Sequence, residues 1–447
     1  MTRGQPWRAA VAITVAALAR LSAADICSVI KQQGIEIQKP LSPHYYKDLA
    51  NYWSAACGDL KPTCIATPTS ALEMSAIVKQ LHNFDDLFAV KSGGHMPNNG
   101  FASIQDGLLI STENLDQVIY NPEDQTAIIG PGLTWEDAQK GLDGTGRTLV
   151  GGRLGGLSFL SSQYGWAANN VVNFEVVLAN GTVVNANAKE NTADKTPQVL
   201  SALRDFTEHY PDDKAAIIVT CEHGLLIHTW IMFLFYDGPE PPEGVFTNFT
   251  AIGPTDTTKT WDSYYDLLKH NDIFILHGQR YTIATETTPL PNKTVGAEVM
   301  QRYYDHWFNV TNTVLEVPNM LGSIAFQPMP RTITSKAKAR GGDLLDFPTD
   351  QDYIIIELDF SYAFAADDGK IDAANQNLYR GFDNIISDNI DKGLLPDVYR
   401  PLFLNDAYFR QDYWGRIRTR EQALQTRIKY DPDGFFQKRT SGGFRLH

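Results

Sequence analysis

Between residues 91 and 165 the chain gathers its glycines into short clusters beside apolar runs: KSGGH at 91–95, GPG at 130–132, GGRLGG at 151–156 and QYG at 163–165. Glycine reaches positive φ and lets a ligand approach main-chain N–H groups. Successive N–H groups form a nest that holds phosphate oxygens. What precedes the first cluster sets its place. CIAT (64–67) reads as a strand, and the stretch 68–84 has helical periodicity, with Ser70 as cap and Glu73 three places on. LFAV (87–90) reads as a second strand. This β-α-β unit puts KSGGH at a strand's carboxyl end, where α/β layers contact ligands. No cluster is G-x-G-x-x-G at a strand-to-helix turn and no G-x-x-x-x-G-K-[ST] occurs, so a Rossmann site and a P-loop are unsupported. His95 closes the first cluster. On such a turn it reads either as a hydrogen-bonded loop residue or as a nucleophile or covalent cofactor tether.

A length of 447 residues exceeds one typical core and predicts two domains. The net charge of −14 argues against nucleic acid and anionic membrane surfaces, which select basic patches. Arg3 and Arg8 precede an apolar run at 9–19 that is too short to span a bilayer, and SAAD offers small residues for cleavage after Ala23 or Ala24. A signal peptide over 1–24 and a secreted, extracellular protein follow as expectations. Cys27, Cys57, Cys64 and Cys221 suit an oxidising compartment, but four cysteines allow three full pairings. Four sequons, at Asn180, Asn248, Asn292 and Asn309, predict glycosylation.

Residues 106–132 read as three strands separated by turns, and Thr134, with Asp137 three on, opens a helix. Residues 171–187 read as a hairpin with ANGT at its tip. The texture changes near Pro197, and TTKTWDSYYDLLKHND (257–272) reads as a helix with a threonine start. Strands, helices and a long amphipathic helix from 367 predict an antiparallel sheet carrying helices on one side. Cys221, His223 and His228 form C-x-H-x4-H, but strand alternation puts 221 and 223 on one face and 228 on the other, which favours packing over zinc. No H-E-x-x-H or G-x-S-x-G occurs. Tyr408 and Tyr413 could each supply a phenol for acid–base work or be buried aromatics.

The order of these pieces resembles the secreted FAD-linked oxidoreductases of the vanillyl-alcohol oxidase superfamily, within it the fungal berberine-bridge-enzyme-like group. The matching stretches are YWSAACGDLKPTCIATPTSALEMSAIVKQL, FAVKSGGHMPNNGFASIQDGLLIS, IIGPGLTWEDAQKGLD, LSFLSSQYGWAANNVVNFEVVLANGTVVNANAKEN and the closing KYDPDGFFQKRTSGGF. The resemblance implies an α+β fold: a two-lobed PCMH-type FAD-binding domain over 25–197 and an antiparallel-sheet substrate domain, covered by helices, over 198–395. A C-terminal berberine-bridge-like segment over 396–447 returns to the FAD domain. It also implies FAD bonded through its 8α carbon to His95, with Lys91, Ser92, Gly93 and Gly94 at the pyrophosphate. Gly130, Gly132, Gly151, Gly152, Gly155 and Gly156 line the remaining cofactor path, and Cys27 is disulfide-bonded to Cys64. The reaction expected is hydride transfer from a small alcohol, sugar or secondary metabolite to flavin N5, with molecular oxygen as reoxidant and a monomer as the working unit.

The chain departs from the family in four respects. No cysteine lies between Cys64 and Cys221, so only a single flavin link is expected. The glycine-rich run after Arg153 and the segment after the 171–187 hairpin are shortened. Asn405–Ala407 reads NDA where many relatives have Asn-Tyr-Ala, so Asp406 or Tyr408 becomes the candidate base. The alternative reading is a degenerate, flavin-poor binding protein, or an incomplete gene model of such an oxidase.

Overall fold

The computed structural model describes residues 25–152, 158–171, 174–180, 183–186, 197–225, 227–252, 260–271 and 278–447. The leader and Gly155 and Gly156 lie outside the described residues.

The predicted β-α-β unit forms. Ser70 accepts the Glu73 backbone N–H at 3.2 Å and starts the helix Ala71–Leu81. The strands are β1 (Ile37–Gln38), β2 (Cys64–Ala66), β3 (Phe88–Lys91) and β4 (Leu108–Ser111), in spatial order β1-β2-β4-β3. β4 runs parallel to both β2 and β3, and β1 pairs antiparallel with β2. β2 and β4 are buried on both faces, the usual state of parallel strands. Cys27 and Cys64 are joined in a disulfide, which fixes the first helix, Ile26–Gln32, onto β2. β5 (Val118–Asn121) and β6 (Thr126–Ile129) form one hairpin, β7 (Phe174–Val177) and β8 (Val183–Ala186) another. Thr134 caps the helix Trp135–Leu142 through the Asp137 N–H, as its spacing predicts.

The second unit is a fully antiparallel sheet of β9 (Ala215–Gly224), β10 (His228–Tyr236), β11 (Arg280–Pro289), β12 (Leu321–Met329) and β13 (Tyr353–Tyr362), in spatial order β10-β9-β12-β13-β11. Its faces differ because side chains alternate along each strand. Phe326, Ile356, Leu358 and Phe360 point to one face, where the helices Gly296–Asn312 and Asp368–Asp391 cover them with Tyr303, Trp307, Leu378 and Phe382. The alternate residues point to the other face, towards the first unit.

Two sequence expectations change. His223 and His228 pair directly across the β9–β10 hairpin, with ring centroids 4.8 Å apart. Alternation along one strand does not apply, because a turn separates the two. No group of three or more metal-ligating side chains occurs among the described residues. The helix Tyr264–Asn271 is capped by Ser263, which accepts the Asp266 N–H at 3.1 Å, rather than by a threonine. Among the described residues no helix is long and apolar enough to cross a membrane.

The two units meet along the start of β11. Ala55 N–H donates to the Gln279 carbonyl at 2.8 Å, and Tyr281 N–H donates to Ser54 Oγ at 3.1 Å. Arg280 bridges Asp59 on one side to Asp368 on the other. The C-terminal segment returns to the first unit. Ser441 N–H donates to the Phe88 carbonyl at 3.0 Å, its Oγ bonds to the Gly100 and Ser103 carbonyls, and Phe444 packs edge-on against Phe101.

Candidate functional site

The KSGGH turn leaves β3 at its carboxyl end. Gly94 has φ +73°, and a Cβ there would sit 2.7 Å from the Asn51 carbonyl oxygen, so the position admits only glycine. Ser92 and Gly93 are exposed, and a Cβ on Gly93 would meet only the Thr134 methyl, at 4.0 Å. Ser92 Oγ donates to the Pro131 carbonyl and ties this turn to GPG. Lys91 behaves differently from the sequence expectation. It is buried, its ammonium is paired with buried Asp48, and it lies over the Tyr52 ring. Its charge anchors the turn from behind rather than facing an outer ligand. Gly130 and Gly132 are glycine for packing, since a Cβ on either would collide with the Leu115 or Thr112 carbonyl. Gly151 packs on the Trp135 ring, and Gly152 is buried beside it. The open backbone is therefore concentrated at Ser92 and Gly93.

His95 follows immediately. Its ring stacks on Trp53, with centroids 4.4 Å apart and planes 14° apart, and Trp53 in turn stacks on Tyr281 of β11 at 4.1 Å. Trp53 N–H donates to the Gly94 carbonyl at 3.0 Å, so the same residue grips the turn's backbone and its imidazole. His95 keeps surface open to solvent on its turn, yet protein packed around the ring disfavours the imidazolium and pushes its pKa down to about 4. The imidazole is neutral at physiological pH.

From Tyr281 the sheet's inward face leads to a row of acids. In register across five strands stand Ile283, Asp359, Ser323, Glu222 and Thr229. Ser323 Oγ donates to Glu222. One step along β13, Glu357 accepts from Gln327 Nε2 at 2.7 Å, and the same amide reaches Asp406 Oδ2 at 3.2 Å. Burial, with the charge on Glu357, raises the Glu222 pKa to about 7. Burial and the charges on Glu357, Asp406 and Glu222 lift Asp359 well above the ordinary carboxylate range. Carboxylates this close share protons and titrate as a group.

The two candidate bases separate. Asp406 joins this row through Gln327. Tyr408 lies in the helix-side core, where its hydroxyl donates to Asp372 at 2.6 Å and burial raises its pKa. It is a packing residue on the far side of the sheet. Tyr413 is likewise buried, with Leu402, Ala407 and Ile417. Trp53, Tyr281, Glu222, Ser323, Gln327, Glu357 and Asp359 were not singled out from the sequence. A charge inside an otherwise apolar strand, as in AAIIVTCEHG and YIIIELDFSY, is the signal that could have found three of them.

The turn fits a dinucleotide cofactor such as FAD in two respects: exposed main chain at Ser92–Gly93, which no Cβ fills, and a neutral imidazole beside it. Asn180, Asn248, Asn292 and Asn309 are all exposed. Cys57 and Cys221 are buried and form no disulfide.

The FAD binding domain family matches residues 62–187, which span the KSGGH turn and His95. An uncharacterised FAD-linked oxidoreductase of Arthroderma benhamiae is 42% identical over 473 aligned positions, covering 94% of each chain. Those positions outnumber the 447 residues here, so the relative carries residues this chain does not. The bifunctional solanapyrone synthase of Alternaria solani is 26% identical, covering 91% of this chain and 86% of its own. Among solved structures, glucooligosaccharide oxidase from Acremonium strictum superposes with a TM-score of 0.73 at 15% identity, over 94% of this chain and 99% of that one. Berberine bridge enzyme from Eschscholzia californica gives 0.70 at 15% identity, over 95% and 100%. By the relative that matches it over 94% of both sequences, the chain belongs to the FAD-linked oxidoreductases, and its fold is that of berberine bridge enzyme and glucooligosaccharide oxidase.

Proposed function

We propose that this chain is a secreted oxidase that holds one FAD covalently through His95 and oxidises a carbon bearing a hydroxyl or amine on a sugar, an alcohol or a secondary metabolite. The observation that carries this reading is the neutral imidazole of His95, clamped by Trp53 on a glycine turn with open backbone. The glucooligosaccharide oxidase of Acremonium strictum carries a 6-S-cysteinyl, 8α-N1-histidyl FAD. Here only the histidyl half has a residue to form it, because no cysteine lies between Cys64 and Cys221.

When bound, FAD supplies a two-electron acceptor for a substrate C–H bond and passes the electrons to oxygen. The chain's own residues supply the rest. Ser92 and Gly93 offer main-chain N–H groups to the pyrophosphate. Trp53 and Tyr281 fix the wall between His95 and the sheet. The carboxylate row takes the proton that leaves the substrate's hydroxyl or amine. Glu222, titrating near neutrality, is the member best matched to a base at physiological pH. Burial and the charge on Glu357 favour its protonated form, and Gln327 holds Glu357 and Asp406 in place.

A second reading keeps the fold without the flavin. The shortened glycine-rich run after Arg153 and the shortened segment after the 171–187 hairpin favour it. Protein purified from a secreting host distinguishes the two. The oxidase carries yellow flavin that stays with acid-precipitated polypeptide and is lost in His95→Ala. Colourless protein that takes up no added FAD overturns the oxidase.

A further inference from the structure

A cavity of about 290 Å³ opens on the far flank of the second unit, between the helix Pro197–Glu208 and the short helix Thr247–Thr250. Phe206 and Phe249, both buried, form its floor. Asp205, His209 and Lys293 stand around its mouth, with Lys293 Nζ 4.0 Å from Asp205. An apolar floor under a polar rim is the usual anatomy of a small-molecule site, although at roughly 300 Å³ this one is at the small end of the range. It has room for a sugar ring, whose C–H face suits phenylalanine and whose hydroxyls and acetamide suit the charged rim.

The source of such a ring is in the wall itself. Asn248 lines the cavity and opens the sequon Asn248-Phe249-Thr250. Phe249 turns inward to build the floor, which leaves the Asn248 amide exposed at the edge. Thr250 Oγ1 stays on the local backbone, 3.3 Å from the Phe246 carbonyl.

We infer that Asn248 carries an N-linked glycan whose first sugar folds back into this cavity. The inference rests on the secretory reading above. Attachment forms a bond from the Asn248 amide nitrogen to the sugar's anomeric carbon. It breaks that carbon's bond to a lipid-linked diphosphate and releases one proton. Asn309 makes the contrasting site: it is exposed on the helix Gly296–Asn312 and is not part of this cavity.

The test uses the full chain from a secreting eukaryotic host, with glycopeptide mass spectrometry at all four sequons during digestion by an amide-cleaving endoglycosidase under native conditions. Release at Asn248 should be on the order of tenfold slower than at Asn309, and the difference should vanish on denaturation. Thr250→Ala, which removes the sequon and keeps Asn248, should lower Tm by roughly 2–4 °C, while Thr250→Ser and Asn309→Gln should not. Release at Asn248 as fast as at Asn309, or an empty Asn248 beside an occupied Asn309, overturns the inference. No glycan at any sequon overturns it together with the secretory reading.

Discussion

The indole of Trp53 lies face to face with the imidazole of His95, 4.4 Å away, while the main-chain N–H of Trp53 donates to the carbonyl of Gly94. Position and electrostatics of the imidazole thus depend on one residue outside the glycine turn. Trp53→Ala should strip the packing from one face of the ring and move the His95 pKa from about 4 towards its ordinary 6.5. It should also lower the fraction of protein carrying acid-stable flavin, with Trp53→Phe intermediate. Titration of the His95 ring proton by NMR, assigned with His95→Gln, checks the first effect. An unmoved midpoint counts against the clamp.

The same depressed pKa has a sign for stability. The unfolded chain takes up a proton at His95 near pH 6.5, and the folded chain does so only near pH 4. Between these values the unfolded state binds more protons, so stability falls as pH drops through the window. Urea midpoints measured from pH 7 to pH 4 should fall less steeply in His95→Ala than in the parent.

Glu222 acts in the opposite direction. Its folded pKa of about 7 lies above the ordinary 4.5, so the folded state binds the extra proton between those values. The stability this gives is present below about pH 4.5 and is lost as pH rises through 7. Glu222→Gln should therefore raise Tm at pH 8 relative to the parent and change little at pH 4.5. In the active enzyme it should flatten the rise of kcat/KM near neutrality. Parallel melting curves that keep the same offset at both pH values would show that the acid row does not share its charge.

Lys91 and Asp48 are an ion pair with almost no exposed surface. Asp48→Ala leaves a buried ammonium without its partner and should cost about 3–5 kcal/mol. The double variant Lys91→Met with Asp48→Leu should recover most of that, because both charges are gone. Chemical denaturation of the three proteins gives the comparison, and equal losses in the single and double variants would place the cost elsewhere.

The disulfide Cys27–Cys64 closes a loop with a sequence separation of 37. Loop-closure entropy puts its contribution at roughly 3–4 kcal/mol. Reduction, or Cys27→Ala with Cys64→Ala, should lower the unfolding midpoint accordingly without altering the β2–β4–β3 pairing. Amide exchange of Leu109 and Ile110 in β4 reports whether the sheet survives.

Local signals carried much of the fold. The caps at Ser70 and Thr134, the strand before KSGGH and the long helix Asp368–Asp391 all rest on residues within one turn or one period of each other. The place of His95, on a turn at the end of a strand, was legible for the same reason. The acid row was not, because Glu222, Ser323, Asp359 and Asp406 come from distant segments and meet only through the register of β9, β12 and β13. Lys91 was misplaced because its partner Asp48 lies 43 residues earlier, and a lysine beside glycines reads as a phosphate ligand until its burial is known. Asp406 and Tyr408 are two positions apart in an irregular segment, where no periodicity tells which faces the sheet's inner side.

The strap from the C-terminal segment sets an order of events. Ser441 bonds to the carbonyl of Ser103, 338 positions earlier, and to that of Phe88, on the strand leading into the turn that bears His95. During synthesis the β-α-β unit leaves the ribosome early, but the residues that clasp it emerge hundreds of codons later. Long-range closure of this kind is slow and leaves the early lobe unfinished while the rest is made. A group destined for His95 therefore meets a completed turn only after translation has passed Ser441, so the first lobe to be made is the last to become ready for its cofactor.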